Sequence, residues 1–256
     1  GDLIPEQYIL SFADRPDCLF DSVHQKLCIL IGKYRKSEKT IFTGNYQYWY
    51  KQERETLFSN IQMVKNIYEN VDFIPKLGNK LDINIYKKIT NTKNMHSVYA
   101  ISREGTEAVY LNRREAFWMK AYREKVENPE YKVFRFWTPE EADFCYCLIN
   151  STLFWWYWIS VSDCWHVSKK LNGFMMPKQV KTEGATKLAS DLRKKLEETK
   201  IYVGTKQTLY EYKHKECLKE IGAIDDFINA TYGLTNIESD YIKQFAIRYR
   251  TSGGID

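Results

Sequence analysis

From Phe144 to Ser162 the chain reads FCYCLINSTLFWWYWISVS, without a single charged side chain. A run of that kind has two stable destinations, a bilayer or the middle of a globular core, because aromatic and aliphatic side chains at consecutive positions cover every face of a helix. Asn150, Ser151 and Thr152 interrupt the run, and Asp163 and His166 follow it at once. The aromatic residues gather in its middle instead of forming belts at both ends, where a membrane-spanning helix carries them. The reading is therefore a buried aromatic helix in a soluble core, with Trp155, Trp156, Trp158 and the nearby Trp165 assigned to the interior.

The rest of the chain supplies what such a helix packs against. Tyr8–Phe12 and Leu27–Tyr34 are β-prone runs that pair antiparallel, and Thr40–Thr43 continues extended. Tyr46–Glu55 is helical or irregular, with Tyr46, Tyr48 and Trp49 as packing residues. Lys80–Ile89 alternates as a strand does. Ser97–Ile101 and Ala108–Asn112 read as a hairpin turning at Gly105. Lys132–Trp137 is another strand, and Thr138-Pro139-Glu140-Glu141 opens the next helix with a capping threonine, a proline in the first turn and early acids. After Pro177 the period changes to 3.6. Ala185, Leu188, Ala189, Leu192 and Leu196 mark one helix, and Cys217, Ile221, Ile224 and Ile228 a second, ended by Gly233. Thr235 with Glu238 is a capping box for a third. The expected fold is mixed α/β (α+β): small sheets with a buried aromatic helix, followed by a helical C-terminal segment. It divides into residues 1–60, 60–180 and 181–256, with a boundary near Pro177–Gly184.

The 256 residues carry 38 Lys and Arg against 33 Asp and Glu, and two clusters hold much of the excess. Between Lys26 and Arg54 there are seven basic and two acidic residues, and between Lys76 and Lys93 five basic and one acidic. Such clusters are either solvated faces or phosphate-binding surfaces. Lys33, Arg35, Lys36, Lys51 and Arg54 are the candidates for phosphate contacts, where cations release condensed counterions. Arg113 and Arg114 follow the expected hairpin, where an arginine fork can read guanine or instead pair with Glu115 or Glu107. Asn79, Asn91, Asn94 and Asn112 are candidate adenine readers, or ordinary loop residues. Asp163 and His166 suggest a general base but lack a nucleophile, so they cap and brace a turn, and His166, Lys169 and Lys170 are expected to lie close to DNA.

Six cysteines without the density of a small secreted domain read as reduced thiols of a cytoplasmic protein. Cys145 and Cys147, two apart on a helix, point to nearly opposite sides and are core residues instead of metal ligands. Glu130-Tyr131-Lys132, Glu198-Thr199-Lys200 and Glu211-Tyr212-Lys213 each match the acid-x-Lys half of a nuclease site. Chance accounts for them, since metal-dependent cleavage needs clustered carboxylates.

Three stretches resemble the carboxy-terminal half of the TaqI-like class of adenine-specific DNA methyltransferases, some of them fused to endonucleases in bacterial type II restriction-modification systems. The first is Ser11–Ile31 with Thr43–Phe58, where Arg15, Pro16, Leu19, Phe20, Trp49, Arg54, Leu57 and Phe58 carry the likeness. The second is Leu148–Lys170, an Asn-Ser-x-Leu-Phe aromatic block followed by Asp-x-x-His. The third, Ile224–Arg250, has Tyr-Gly-Leu-Thr and a closing Ile-x-Tyr-Arg, an ending that also resembles type I specificity subunits. Phe73–Lys132 carries little family signature, as a variable base-reading surface would. The resemblance implies a double-stranded DNA partner and a target-recognition role. It also implies S-adenosylmethionine in a catalytic methyltransferase domain expected upstream of Gly1. Neither of that domain's motifs occurs here: no two prolines are adjacent and no two glycines are separated by one residue. The expectation is a non-catalytic part of a methylating protein, with a type I-like specificity subunit or assembly scaffold as the alternative.

Overall fold

In the computed structural model of the chain, residues 4–34, 39–67, 73–91, 95–97, 105–126, 128–168, 171, 173–177, 182–205 and 209–251 are described. The fold is mixed α/β with small sheets and a helical C-terminal segment, and the chain forms two compact units. One comprises residues 1–87 with 159–163, the other 88–158 with 164–256. Residues on both sides of Pro177–Gly184 thus share one unit.

The first unit is built on a four-stranded sheet of order β2-β1-β3-β4. β1 (Glu6–Phe12) and β2 (Leu27–Lys33) pair antiparallel as expected, Tyr8 opposite Ile31 and Phe12 opposite Leu27. β3 (Thr40–Thr43) runs parallel to β1, and β4 (Val64–Lys65) closes the sheet. Phe12, Trp49 and Leu57 form the buried cluster beneath it, with Phe12 and Trp49 edge to face at 5.9 Å. Tyr46 is buried too, so these aromatics pack as expected. Lys51–Thr56 is a short 3₁₀ helix.

The segment Lys80–Ile89, expected to be a strand, is helix α1. Its apolar alternation also satisfies a helical period, because Asp82, Ile85, Tyr86 and Ile89 are the buried positions. The decisive local signal is a reciprocal cap: Asn79 Oδ1 accepts from the Asp82 amide at 3.0 Å, and Asp82 Oδ2 accepts from the amides of Gly78 and Asn79 at 2.7 and 3.1 Å. Asn79 is therefore tied into a helix start.

In the second unit β5 (Met95–Ser97) pairs with β9 (Met175–Pro177), and β7 (Ala121–Tyr122), β6 (Glu107–Asn112) and β8 (Tyr131–Phe136) form a three-stranded sheet in that order. Of the first strand of the expected hairpin, Ser97–Ile101, residues 98–101 lie outside the described residues; β6 itself pairs with β8, Val109 opposite Phe134. Buried Phe134 and Phe136 alternate with exposed Val133 and Arg135 and give β6 an apolar partner face. Gly105 lies where a side chain would come 2.0 Å from the Phe136 carbonyl oxygen, at φ +128, so only glycine fits.

The charge-free run forms two helices, α2 (Pro139–Asn150) and α3 (Thr152–Val161), where one was expected. Its three polar residues make the break. Ser151 is extended, and its hydroxyl accepts from the Phe154 amide at 3.2 Å, capping α3. Asn150 Nδ2 donates to the carbonyls of Tyr146 and of Ala121 in β7, at 2.9 and 3.2 Å. Trp155, Trp156 and Trp158 are completely buried. α2 packs on the three-stranded sheet and on α4 (Ala185–Thr199) and α5 (Leu218–Thr231), which is why its apolar residues cover every face. α6 (Asn236–Gln244) starts with the expected Thr235–Glu238 capping box, and α7 (Ile247–Thr251) closes the described chain. Between α4 and α5 lies the short hairpin of β10 (Ile201–Tyr202) and β11 (Tyr210–Glu211). No described helix is long and apolar enough to cross a membrane.

Candidate nucleic-acid interface

Of the ten cationic residues singled out from the sequence, Arg35, Lys36, Lys169 and Lys170 lie outside the described residues. The other six divide between the units. In the first, Lys33 Nζ lies 3.1 Å from the Glu6 carboxylate and 5.0 Å above the Tyr8 ring, and the carboxylate raises its ammonium pKa. Arg54 turns inward. Its guanidinium donates to the carbonyls of Leu19 and Cys18 at 2.9 and 2.8 Å and to Asp17 at 3.2 Å, with Asp21 at 3.4 Å. Four acceptors on one five-residue segment make Arg54 the clamp of that loop. Lys51 is exposed in the first turn of the 3₁₀ helix.

In the second unit Arg113, Arg114 and His166 come together although about fifty residues separate them in sequence. Arg114 and His166 form an antiparallel β-bridge, and the Val167 amide donates to the Arg113 carbonyl at 2.9 Å. The two arginines leave β6 at its end and begin a loop that returns as β7. Asn112 closes that loop, its amide donating to the Lys120 carbonyl at 3.0 Å while its side-chain oxygen accepts from the Arg114 amide at 2.9 Å. The Arg113 amide donates to the Glu130 carbonyl at 3.0 Å, joining the loop to the start of β8. Asn112 thus braces a turn, as loop asparagines do.

The side chains of this group face water. Arg114 Nε lies 3.4 Å from Glu130, but both are largely exposed, so the pair is weak and open to exchange. Arg113 forms no side-chain hydrogen bond or ion pair with a described residue, and His166 is exposed. The alternative partners considered for the arginines are engaged elsewhere: Glu107 with Arg123 at 2.8 Å, and buried Glu115 with the Lys120 amide at 2.9 Å. Burial pushes the Glu115 carboxyl well above the usual carboxylate range.

Trp165, assigned to the core from its sequence, is half exposed beside His166. α3 has ended by then, and Cys164, at φ 60, turns the chain outward. Two further exposed residues lie toward the other end of the β6–β8 pair, where Arg135 stands opposite Ala108 and Trp137, just beyond β8, is 69% exposed. The period-two pattern from Val133 to Trp137 was the available signal, since it sets these side chains opposite Phe134 and Phe136.

The acid-x-Lys triplets lie apart from any shared site. Glu130 faces Arg114, Glu211 pairs with Lys213 at 2.7 Å, and Glu198 lies on the exposed side of α4 near Lys195. Cys145 and Cys147 are buried and their thiols are pushed up by desolvation, as core cysteines are. All six cysteines are unpaired thiols.

The Asn-Ser-x-Leu-Phe block has a local structural role. Asn150, Ser151 and Thr152 break α2 from α3, and Asp225 of α5 accepts from the Thr152 amide and hydroxyl at 2.6 and 2.7 Å. No protein-family model, curated protein or solved structure matches the chain.

Proposed function

We propose that this chain is the DNA target-recognition region of an adenine-specific DNA methyltransferase of the type II restriction-modification kind, with the methyl-transfer motifs and S-adenosylmethionine site in another part of the protein. The observation that carries the reading is the exposed group of Arg113, Arg114 and His166, drawn together by a backbone bridge and flanked by Trp165. Two adjacent guanidinium groups on a braced loop suit duplex DNA: they neutralise phosphates, and each is a fork that matches the guanine edge in the major groove. His166 adds a donor and Trp165 a flat apolar surface. The resemblance of Leu148–Lys170 to the methyltransferase family supports the same assignment.

Fluorescence anisotropy with a duplex oligonucleotide tests it. Affinity should fall steeply as salt rises from about 50 to about 200 mM, and replacing Arg113 and Arg114 by Ala should lower the log–log slope by about two. An unchanged slope and affinity in the double variant would remove DNA contact from this group. Incorporation of labelled methyl groups from S-adenosylmethionine into DNA by the chain alone would overturn its non-catalytic role.

A second reading, a scaffold for subunit assembly, is favoured by the β10–β11 hairpin. It exposes Ile201, Tyr202, Leu209 and Tyr210, with Tyr202 at 67%. Salt-independent self-association without DNA binding is its signature.

A further inference from the structure

Arg250, far along the chain from the exposed arginines, is 2% exposed. Its guanidinium is layered between two indoles, 3.9 Å from the Trp118 ring centre and 4.3 Å from that of Trp155. Nε donates to the Phe117 carbonyl at 2.9 Å, and Nη1 donates to the Thr152 hydroxyl at 3.3 Å. Thr152 in turn donates to Asp225 at 2.7 Å, so the buried cation reaches a carboxylate through one hydroxyl. Trp155 Nε1 donates to the Ala116 carbonyl at 2.9 Å.

Three consecutive residues, Ala116, Phe117 and Trp118, are therefore held from inside by one guanidinium and the ring beneath it. They sit in the loop between β6 and β7, one residue beyond Arg113 and Arg114. The outer end of that loop is tied by backbone bonds to Glu130, Val167 and Lys120 and by the Asn112 side chain. A planar cation with in-plane donors and two stacking faces does this in one piece, whereas an ammonium has neither the plane nor the fork.

We propose that Arg250 is a positioning residue for recognition: its guanidinium, seated on Trp155, locks Phe117 and Trp118 and thereby sets the direction in which Arg113 and Arg114 leave the loop. The DNA part of this proposal rests on the function proposed above; the loop part does not. The carboxy-terminal helix α7 thus acts on the exposed arginines without touching them.

The test combines Arg250→Lys with hydrogen exchange and DNA binding. The variant keeps the charge and loses the fork and the plane. Amides of residues 114–120 should exchange about tenfold faster than in the unsubstituted chain, with those of α4 and α5 unchanged. DNA affinity should fall to within about twofold of the Arg113→Ala, Arg114→Ala protein, and adding Arg250→Lys to that protein should cost little more, because both changes remove one interaction. Unchanged exchange in 114–120 overturns the positioning role, as does a loss of affinity fully additive with the double variant. If the unsubstituted chain fails to bind DNA, the recognition reading falls and exchange alone decides the Arg250 assignment. Should Arg250→Lys fail to fold, Trp118→Leu removes the loop's own stacking partner with Arg250 in place; faster exchange at 114–120 supports the clamp and unchanged exchange overturns it.

Discussion

In the first unit Arg54, one of the arginines that the sequence offered to DNA, turns onto the carbonyls of Cys18 and Leu19. In the second, Arg113 and Arg114 stand in water, and the buried arginine is Arg250, which no charge cluster announces. A basic run in a sequence counts cations; it does not say which have lost their donors to the protein. In the first unit Arg54 clamps the 17–21 loop. The layered core of the second, where α2 is closed in by a sheet and further helices, anchors its loop from below and leaves Arg113 and Arg114 at the surface.

The largest expected effect concerns the interior of the second unit, which holds titratable groups of opposite sense. His214 is buried, 3.3 Å from Asn150 Oδ1, and desolvation, with the Lys120 and Arg250 charges, depresses its pKa to about 3. A depressed base binds its proton more readily unfolded than folded, so its stabilisation is complete above pH 6.5 and is lost as pH falls toward 3. Between pH 7 and 4 that loss is about 3 kcal/mol. Asp225 works in the other direction. Burial raises its pKa to about 6 against the opposing hydrogen bonds of Thr152, so the folded state takes up the proton first and gains stability as pH falls from 6 toward 3.8. Glu115, whose carboxyl pKa burial also raises, adds to the Asp225 side, so in denaturant unfolding at stepped pH His214→Gln should gain about 3 kcal/mol more on acidification than the unsubstituted chain. The same pH slope in variant and unsubstituted chain would mean that His214 is not neutral in the fold.

The next effect is Arg54→Ala. It strands two carbonyls and the Asp17 carboxylate, partners that are only partly buried, so the cost is about 1–2 kcal/mol in denaturant unfolding after solvent screening. DNA affinity at fixed salt should stay as it was. A loss of affinity as large as that of the Arg113 and Arg114 substitutions would erase the contrast between the units.

How far these arrangements were legible in the sequence follows from the range of the forces involved. The capping boxes at Thr138 and Thr235, the β1–β2 pair and the buried tryptophans of α3 are written in local pattern and stand in the structure. Lys80–Ile89 was misread because its apolar spacing fits both periods, and the Asn79–Asp82 cap that decides it is a polar signal hidden inside the run. The pairing of β6 with β8 was out of reach for a different reason: strand partners are chosen by complementary faces, and β8 lies beyond any local window. For the site, sequence named Arg113, Arg114 and His166 but gave no ground for joining them, since the bridge depends on where α3 ends. Trp165 was assigned inward by its composition alone. Arg250 was visible only as the last letter of an Ile-x-Tyr-Arg ending, because a stacked, buried guanidinium has no sequence period.

The smallest effect separates Lys33 from Lys51 within the first unit. Lys33 holds Glu6 and covers the Tyr8 ring, whereas Lys51 is exposed and pairs with no described residue. A tethered ammonium has a carboxylate beside it that opposes any approaching phosphate, so it releases few counterions on binding. Lys33→Ala should leave both melting temperature, to within about 1 °C, and salt slope unchanged. Lys51→Ala should leave stability alone and lower the slope by up to about one if DNA extends over this unit. Equal and sizeable slope changes for the two lysines would mean that Glu6 yields Lys33 to the phosphate backbone, and that inward pairing in the first unit is a state DNA can displace.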